Sequence, residues 1–255
     1  MSNNDSKKYF KDKVAIITGA ADGMGRRVAL DMAAEGAKIC AVDINKKGID
    51  LVKEKIETMG EQCISVECDV SSSKKIDEMV QRTIEVFGTV DIVVNSAGLL
   101  VAGKIEDTSD ELIDKIININ LKSILYLTRA ITPIMKEKKY GRIVNIASIT
   151  GKRGDNTTVN VYGASKGAVI TLTRSTAREL GPFGITCNAI APHAIMTRMM
   201  RYWDEEKKNK VADLIPLKRL GTVEDISNLI MFLTSDRASF ITGETINING
   251  GYYMD

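Results

Sequence analysis

Tyr162 and Lys166 are the residues whose types and spacing point most directly to chemistry. They lie four positions apart in Val161-Tyr162-Gly-Ala-Ser165-Lys166, so a helix would place both side chains on one face. A phenol can pass a proton to or from an oxygen atom, but its usual pKa of about 10 makes it a poor base at neutral pH. A nearby cation stabilises phenolate and lowers that pKa. The pair therefore favours acid–base catalysis at a carbonyl or hydroxyl oxygen.

Ser148 and Asn120 are further candidates for the same reacting centre. Ser148 follows an apolar, strand-like run and precedes Tyr162 by 14 residues. Ligands of α/β proteins bind at the carboxyl ends of parallel strands, so this hydroxyl could hold a substrate oxygen against Tyr162. A serine after a strand is also a common cap of a helix or turn. Asn120 has a similar alternative, as an amide that caps or packs a helix.

The glycine-rich segment Thr18-Gly19-Ala-Ala-Asp22-Gly23-Met24-Gly25 follows the first apolar run. Glycines permit a sharp turn and let a pyrophosphate approach backbone amides closely. A helix that begins near Gly23 would offer free N–H groups and the positive end of its dipole. Such a loop can also be a plain turn, but Asp43 ends the second apolar run 18 residues after Gly25. A carboxylate at that distance can reach ribose hydroxyls, which favours dinucleotide binding.

Apolar runs and amphipathic stretches alternate along the whole chain. The predicted strands are Val14–Thr18, Lys38–Asp43, Cys63–Glu67, Ile92–Asn95, Arg142–Ala147, Ile185–Ile190 and Thr245–Ile248. The predicted helices are Gly23–Glu35, Lys46–Met59, Ser72–Phe87, Ser109–Glu137, Val161–Leu180 and Val223–Thr234. This alternation predicts one Rossmann-type α/β domain over residues 1–255, a doubly wound parallel seven-stranded sheet with helices on both faces. An amphipathic insert at about 197–215 interrupts the pattern.

Composition excludes several classes of function. The chain has 255 residues, with 35 Lys and Arg against 33 Asp and Glu, so it lacks the basic excess of a nucleic-acid-binding domain. One histidine and four cysteines without CxxC spacing predict reduced thiols and no metal site. The N-terminus lacks a signal-peptide core, and the uncharged stretch Leu180–Thr197 contains two prolines and two glycines. We therefore expect a cytoplasmic protein that acts on a small molecule, without nucleic acid or membrane as partner.

The G-x-x-x-G-x-G spacing, followed in order by Ser148, Tyr162 and Lys166, resembles the classical short-chain dehydrogenase/reductase family over essentially the whole chain. The resemblance implies hydride transfer between a nicotinamide dinucleotide and a carbonyl or secondary alcohol, with Ser148, Tyr162, Lys166 and Asn120 as catalytic residues. Tyr162 would be the acid–base group, its pKa lowered by Lys166 or by the oxidised nicotinamide. Lys166 would also donate to the ribose of the nicotinamide half, and Asn120 could hold a water that links Lys166 to solvent.

Three further motifs carry the resemblance. Asp69-Val70 matches the acid that contacts adenine, and Asn95-Ser96-Ala97-Gly98 is similar to the family's Asn-Asn-Ala-Gly, with Asn95 as its structural member. Pro192-His193-Ala-Ile195-Met-Thr197 aligns with Pro-Gly-x-x-x-Thr, which implies that the backbone of Ile195 and Thr197 anchor the carboxamide. His193 stands where the family usually has glycine, and either turns to solvent or enters the substrate pocket.

Asp43 and Asp22 would repel a 2′-phosphate, so NAD(H) is the preferred cofactor, while Arg26 and Lys46 leave NADP(H) open. In the resembled family the insert covers the substrate. Apolar or adaptable side chains there and near the pocket predict a bulky apolar alcohol or ketone, such as a steroid or bile acid. The candidate substrate residues are Leu99, His193, Met196, Met199, Met200, Tyr202 and Trp203, with Leu100 in the same pocket.

Two alternatives share these motifs. One is a 3-oxoacyl-[acyl-carrier-protein] reductase that uses NADPH, in which Lys152 and Arg153 would dock an acidic carrier. The other is a dinucleotide-binding regulator without turnover, against which the intact catalytic set argues. The resemblance also implies a homotetramer, and apolar positions Ile124, Leu127 and Ile131 fit either a subunit interface or the core.

Overall fold

The computed structural model describes residues 8–197 and 203–255, and its centre is a sheet of seven strands. All pairs of neighbouring strands are parallel, and the spatial order is β3-β2-β1-β4-β5-β6-β7. The strands are β1 (Val14–Thr18), β2 (Lys38–Asp43), β3 (Cys63–Glu67), β4 (Ile92–Asn95), β5 (Gly141–Ile146), β6 (Ile185–Pro192) and β7 (Thr245–Ile248). The direction of winding reverses between β1 and β4, and such a switch point opens a crevice at the carboxyl ends of the strands.

Helices cover both faces of this sheet. They are α1 (Gly23–Ala34), α2 (Lys46–Thr58), α3 (Ser73–Phe87), α4 (Asp110–Ile117), α5 (Ser123–Lys138), α6 (Thr150–Arg153), α7 (Asn160–Leu180), α8 (Glu205–Leu214) and α9 (Val223–Thr234). One core cluster joins the sheet to α1, α2 and α9, and a second joins its other face to α3, α5 and the end of α7. Residues of β1, β5 and β6 are buried throughout, as expected of parallel strands covered on both faces. The predicted doubly wound α/β fold is confirmed.

The predicted helix Ser109–Glu137 differs most from the structure. It is divided into α4 and α5 by a π-helical turn at Asn118–Lys122. A π turn inserts an extra residue and re-aims the side chains around it, and it is frequent at functional sites. Here it buries the side chain of Asn120 completely. Sequence periodicity does not register one extra residue in a turn, so the interruption was missed.

The three apolar residues of α5 that fitted an interface belong to the core instead. Ile124, Leu127 and Ile131 are at most 2% exposed in the single chain. They pack against the sheet and the helices beside it. A subunit interface on α5 would therefore use its other face, where Leu125 is exposed. Among the described residues, no helix is both long and apolar enough to span a membrane.

Candidate active site

The glycine loop between β1 and α1 forms a tight cradle. Gly19 has a φ of +68°, and a Cβ on it would lie 2.9 Å from the backbone nitrogen of Ala97. A Cβ on Gly25 would overlap the carbonyl oxygen of Gly19. Asp22 caps α1, where its carboxylate accepts a hydrogen bond from the Gly23 N–H at 2.8 Å. The helix therefore starts with its amides directed at a space that larger residues in the loop would close.

Asp43 ties this loop to the end of β2. Its Oδ2 accepts from the Ala21 N–H at 3.1 Å, and its Oδ1 accepts from the Asn45 N–H at 2.9 Å. Asp43 itself lines a cavity of about 400 Å³, which we call the cofactor cavity. The predicted cofactor residues in that wall are Gly19, Asp22, Gly23, Met24, Asp43, Asp69, Val70, Ala97, Gly98 and Thr197.

Four residues in this wall were not predicted, namely Ile44, Cys68, Ser96 and Ile119. Ile44 and Cys68 are sequence neighbours of the predicted acids, which is the signal that could have found them. Asp69 itself forms a turn, because its Oδ1 accepts from the N–H and the hydroxyl of Ser71 at 3.0 and 2.7 Å. These two hydrogen bonds hold the pKa of Asp69 below its ordinary value, and the bond from the Ser71 hydroxyl has the larger effect. The wall therefore has a carboxylate at this end.

Thr18 and Asn95 brace the loop on the other side of the cradle. The Thr18 hydroxyl accepts from the N–H groups of Ser96 and Ala97, both at 3.1 Å. Asn95 donates from Nδ2 to Oδ1 of the buried Asn145 at 2.8 Å. It is absent from the cavity wall formed by the described residues, which agrees with a structural role. Thr18 was missed, although it pairs with Asn95 across β1 and β4.

A second cavity, of about 180 Å³, continues from the first and holds the predicted reacting groups. We call it the catalytic pocket. The two cavities share the residues Met24, Ser96, Gly98, Leu99 and Thr197. Ser148, Tyr162, Lys166, Pro192 and His193 are among the other residues that line the catalytic pocket. One cleft thus runs from Asp43 to the acid–base residues.

Ser148 and Tyr162 face each other in this pocket. The phenol is 8% exposed, and burial raises the pKa of Tyr162, while a hydrogen bond with the Ser148 hydroxyl lowers it. The Ser148 oxygen also accepts from the Thr150 N–H at 3.1 Å, so this serine caps the turn into α6 as well. Both interpretations of Ser148, as cap and as reacting-centre residue, fit the same side chain. The phenol keeps its proton at neutral pH, which suits proton donation.

Lys166 lies in the same pocket as Tyr162 and is bonded to the backbone of β5. Its Nζ donates to the carbonyl oxygen of Ile146 at 2.6 Å. Burial lowers the pKa of Lys166 to about 8. In the protein without cofactor, burial outweighs the Ser148 hydrogen bond, and the pKa of Tyr162 is raised. The lowering of the Tyr162 pKa by Lys166 or by the oxidised nicotinamide concerns the enzyme with cofactor bound and stays a prediction.

Asn120 holds the loop that carries Leu99. Its Oδ1 accepts from the Leu99 N–H at 2.7 Å, and its Nδ2 donates to the Leu99 carbonyl at 2.9 Å and to Ser165 Oγ at 3.2 Å. These bonds clamp the loop after β4 onto α7, beside Lys166. The packing alternative therefore accounts for much of what Asn120 does here. Its part in a proton path stays a prediction.

The segment after β6 presents a backbone suited to an amide ligand. Ala194 and Met196 both bond to Gly221, through its N–H at 3.0 Å and its carbonyl at 2.8 Å. In such a parallel bridge, the residue between them directs its own N–H and C=O to the opposite side. Hydrogen bonds within the described residues leave both groups of Ile195 unused. Ile195 and Thr197 both line the catalytic pocket.

The predicted substrate residues divide into four groups. Leu99, Leu100 and His193 line the catalytic pocket. Met196 is 40% exposed and lines a different cavity beside Arg26. Trp203 lies under the ammonium group of Lys207 at 4.5 Å and is not in the pocket wall formed by the described residues. Met199, Met200 and Tyr202 lie outside the described residues.

These residues fit a bound dinucleotide. The crowding at Gly19 and Gly25 leaves backbone amides open to a pyrophosphate, and Asp43 stands at one end of the cleft while the acid–base residues stand at the other. The Ile195 backbone offers a donor and an acceptor to a carboxamide. By contrast, the described residues include no group of three His, Cys, Asp or Glu side chains that could hold a metal ion.

Comparison with known proteins identifies the family of the chain. A family model described as Enoyl-(Acyl carrier protein) reductase matches residues 19–253. The 3-oxoacyl-[acyl-carrier-protein] reductase FabG of Staphylococcus epidermidis is 38% identical over 95% of this chain and 100% of its own length. The crystal structure of levodione reductase (33% identity, TM-score 0.89) covers 95% of this chain and 98% of its own. That of the 3-oxoacyl-[acyl-carrier protein] reductase of Brucella melitensis (32% identity, TM-score 0.91) covers 98% and 94%. The chain therefore belongs to the classical short-chain dehydrogenase/reductase family and is an oxidoreductase that acts on CH–OH or keto groups.

Proposed function

We propose that the protein reduces the keto group of 3-oxoacyl thioesters to the hydroxyl, using NADH. The observation that carries the reaction type is the continuous cleft that joins the glycine loop and Asp43 to Ser148, Tyr162 and Lys166. The thioester substrate is supported by the 3-oxoacyl-[acyl-carrier-protein] reductases among its relatives. The main expectation from sequence, a steroid or bile acid, receives no such support.

A nicotinamide cofactor held by the glycine loop, Lys166 and the Ile195 backbone would supply the hydride that the carbonyl carbon needs. The Ser148 hydroxyl holds the substrate oxygen next to Tyr162. Tyr162 donates the proton that the oxygen needs as the C=O bond becomes C–OH, so hydride and proton together complete the alcohol. Lys166 holds the ribose of the nicotinamide half and supplies positive charge beside the phenol. Asn120 keeps the loop with Leu99 in place against the cofactor.

Pocket size argues against a large rigid substrate. The catalytic pocket, at about 180 Å³, lies below the range of about 300–1,000 Å³ that is typical for drug-sized ligands. Of the side chains on which the steroid prediction was based, Met196 and Trp203 are not in the described wall of this pocket. A keto group on a slim acyl chain fits the described walls better. Bulky apolar ketones remain the second candidate and are included in the test.

The residues predicted to dock an acidic carrier protein are engaged within the chain. The Lys152 ammonium bonds to the Asp255 carboxylate at 2.6 Å and to the Thr245 carbonyl at 3.1 Å. The Arg153 guanidinium lies 5.0 Å from the centre of the Tyr252 ring. We therefore propose a 3-oxoacyl thioester as the substrate. Kinetics with carrier-bound and carrier-free thioesters will show whether the enzyme also recognises the carrier protein.

The charges near the ribose end favour NAD(H) over NADP(H). Lys46, one of the two cations that could bind a 2′-phosphate, is paired with Asp50 and is also within 3.4 Å of Ser65. Arg26, the other, is not in the wall of the cofactor cavity but lines a neighbouring cavity that shares Asp22, Gly23 and Thr197 with it. Asp43 faces the cofactor cavity with two backbone N–H groups bonded to its carboxylate. A 2′-phosphate would therefore meet a carboxylate and no uncommitted lysine among these residues.

Asp43→Ala is expected to lower kcat/KM with NADH about tenfold or more, since one charge-assisted hydrogen bond is worth about 1.5–3 kcal/mol. Activity with NADPH should fall less or rise, because the repulsion of the 2′-phosphate is removed. Steady-state kinetics with both cofactors measure the ratio. Asp50→Ala is the matched variant, since it frees Lys46 and should improve NADPH without harming NADH. A parent enzyme that prefers NADPH would contradict the role given to Asp43.

The substrate proposal is tested with a panel of carbonyl compounds and both cofactors. 3-Oxoacyl groups would be presented on acyl carrier protein, on coenzyme A and on N-acetylcysteamine, next to ketosteroids, cyclic diketones and polyols. We expect the highest kcat/KM with a 3-oxoacyl thioester and NADH. Higher values with ketosteroids would restore the apolar-substrate hypothesis, and no turnover with any compound would favour a regulator.

The proposed assembly is a homotetramer, and the proposed location is the cytoplasm. Leu125 on α5 and Met254 near the C-terminus are exposed in the single chain and could be covered by other subunits. Light scattering at micromolar concentration measures the assembly directly, and a monomer would contradict it.

A further inference from the structure

His193 is the only histidine of the chain, and it separates two cavities. On one side is the catalytic pocket with Ser148 and Tyr162. On the other is a cavity of about 360 Å³, twice the volume of the catalytic pocket, which we call the tail cavity because residues 247–251 form much of its wall. His193 and Ile195 are the residues that line both.

The imidazole is held in place by a stack of three side chains. The rings of His193 and Tyr252 are 3.9 Å apart between centroids and 14° from parallel. The Arg153 guanidinium covers Tyr252, 5.0 Å from its centroid. Offset stacking and cation–π contact both restrain a ring to one position. His193 therefore does not turn to solvent, and it is half-buried in this position.

Tyr252 is in turn fixed by the fold of the last residues of the chain. Its N–H bonds to the Asn249 carbonyl at 3.2 Å, and the Asn249 amide donates to the Tyr253 carbonyl at 2.9 Å. The final residue, Asp255, accepts from Lys152 and from Asn247, both at 2.6 Å. The C-terminal segment is thus fastened to the turn that follows Ser148. His193 is therefore held, through Tyr252, by a C-terminal segment that is itself bonded to α6.

We propose that His193, positioned by Tyr252, is a specificity-determining residue that closes the catalytic pocket towards the tail cavity and so limits the length of the substrate's acyl chain. This inference rests on the proposed carbonyl reduction and adds a chain-length limit to it. Beyond the ring, the tail cavity offers the apolar side chains of Ile215, Leu217 and Ile248, next to polar ones that include the Arg219–Asp225 ion pair. A longer chain would bury methylene groups there only if the imidazole were absent.

The test measures kcat/KM for 3-oxoacyl N-acetylcysteamine thioesters of four to twelve carbons. For His193→Ala, the ratio of kcat/KM for the ten-carbon to that for the four-carbon substrate should rise about tenfold, because one or two methylenes in an apolar site are worth that much. Tyr252→Ala should shift the ratio in the same direction by releasing the ring. Tyr252→Phe keeps the stack and should retain the wild-type ratio, as should Tyr253→Ala at the neighbouring tyrosine. A gain for long substrates cannot come from general loss of structure.

The position of the ring can be read without any substrate. A single imidazole gives one set of histidine proton resonances, and the Tyr252 ring should shift them upfield. Tyr252→Ala should abolish this shift, and Tyr253→Ala should leave it. An unchanged chain-length ratio in His193→Ala would overturn the proposal, as would resonances at random-coil positions in the wild type.

Failure of the proposed function has a different signature. If the wild type reduces simple ketones and no thioester, the thioester proposal is wrong, and the same ratios are measured with 2-alkanones of increasing length. A His193→Ala ratio that rises in that series supports the wall, and one that does not overturns it. An enzyme that reduces neither class overturns both proposals.

Discussion

Tyr162→Phe is expected to lower the turnover of carbonyl substrates by about a hundredfold or more, the usual contribution of a positioned general acid. Burial raises the pKa of Tyr162, so the phenol carries its proton at neutral pH and can give it to the oxygen that accepts negative charge. Phenylalanine keeps the ring in its place between Ile116 and Val159 but removes the only group of that side chain that can donate. The measurement is kcat with saturating NADH and substrate.

The affinity for NADH should change little in this variant, because the glycine loop and Lys166 are untouched. Fluorescence titration of NADH reports it independently of turnover. Tyr140→Phe is a matched control, since Tyr140 lies before β5, at the end of the sheet opposite the active site, where its hydroxyl bonds to Asp236 at 3.1 Å. It should retain wild-type kcat. Retention of most activity in Tyr162→Phe would contradict the proposed mechanism.

Lys166→Met is expected to reduce both turnover and cofactor affinity. The lysine is proposed to hold the ribose, so NADH binding should weaken about tenfold, the value of a lost charge-assisted hydrogen bond. Loss of the cation beside Tyr162 should lower kcat by about a hundredfold. An effect on kcat alone would remove the ribose contact from the mechanism. Binding and kinetics, measured on the same preparation, separate these two results.

The pH dependence of the wild type gives a second test of Lys166. Because burial lowers its pKa to about 8, the free enzyme loses this positive charge as pH rises through that value. We expect kcat/KM for NADH, which reports ionisations of the free enzyme, to fall above about pH 8. The fall should be absent in Lys166→Met. The same alkaline limb in both enzymes would assign it to another group.

Deprotonation of Lys166 at alkaline pH should lower kcat/KM for NADH but raise the free energy of unfolding. The pKa of Lys166 falls from 10.5 to about 8 on folding, which corresponds to a penalty of the order of 3 kcal/mol when the lysine is charged. The unfolded state binds more protons between these two values, so the free energy of unfolding of the wild type should rise with pH across that window. Relative to the wild type, Lys166→Met should therefore be most stable below pH 8 and lose that advantage towards pH 10. Denaturant unfolding of both proteins at pH 7 and pH 10 measures it.

Much of the fold could be predicted from local pattern. The seven strands lie within two residues of their predicted ends, because near-continuous apolar runs of this length are typical of buried parallel strands. Glycine at 19 and 25 is required by close backbone approach, and the acid at Asp43 follows from its place at the end of β2. Chemistry that depends on motifs of short span, such as Tyr162 with Lys166, is visible in the sequence for the same reason.

Packing between distant segments decided the rest. The apolar pattern of α5 in the sequence is the same whether the sheet or another subunit covers that face of the helix. Only the folded chain shows that Ile124 and Leu127 are in the core. The clamp of Asn120 on Leu99 depends on a π turn, which periodicity does not reveal. The side chains that meet at His193 come from positions 153 and 252, so their stack exists only once three separate segments converge at one end of the sheet. Sequence therefore determined which groups can react, and tertiary structure decided what surrounds them, because desolvation and long-range contacts belong to the folded chain.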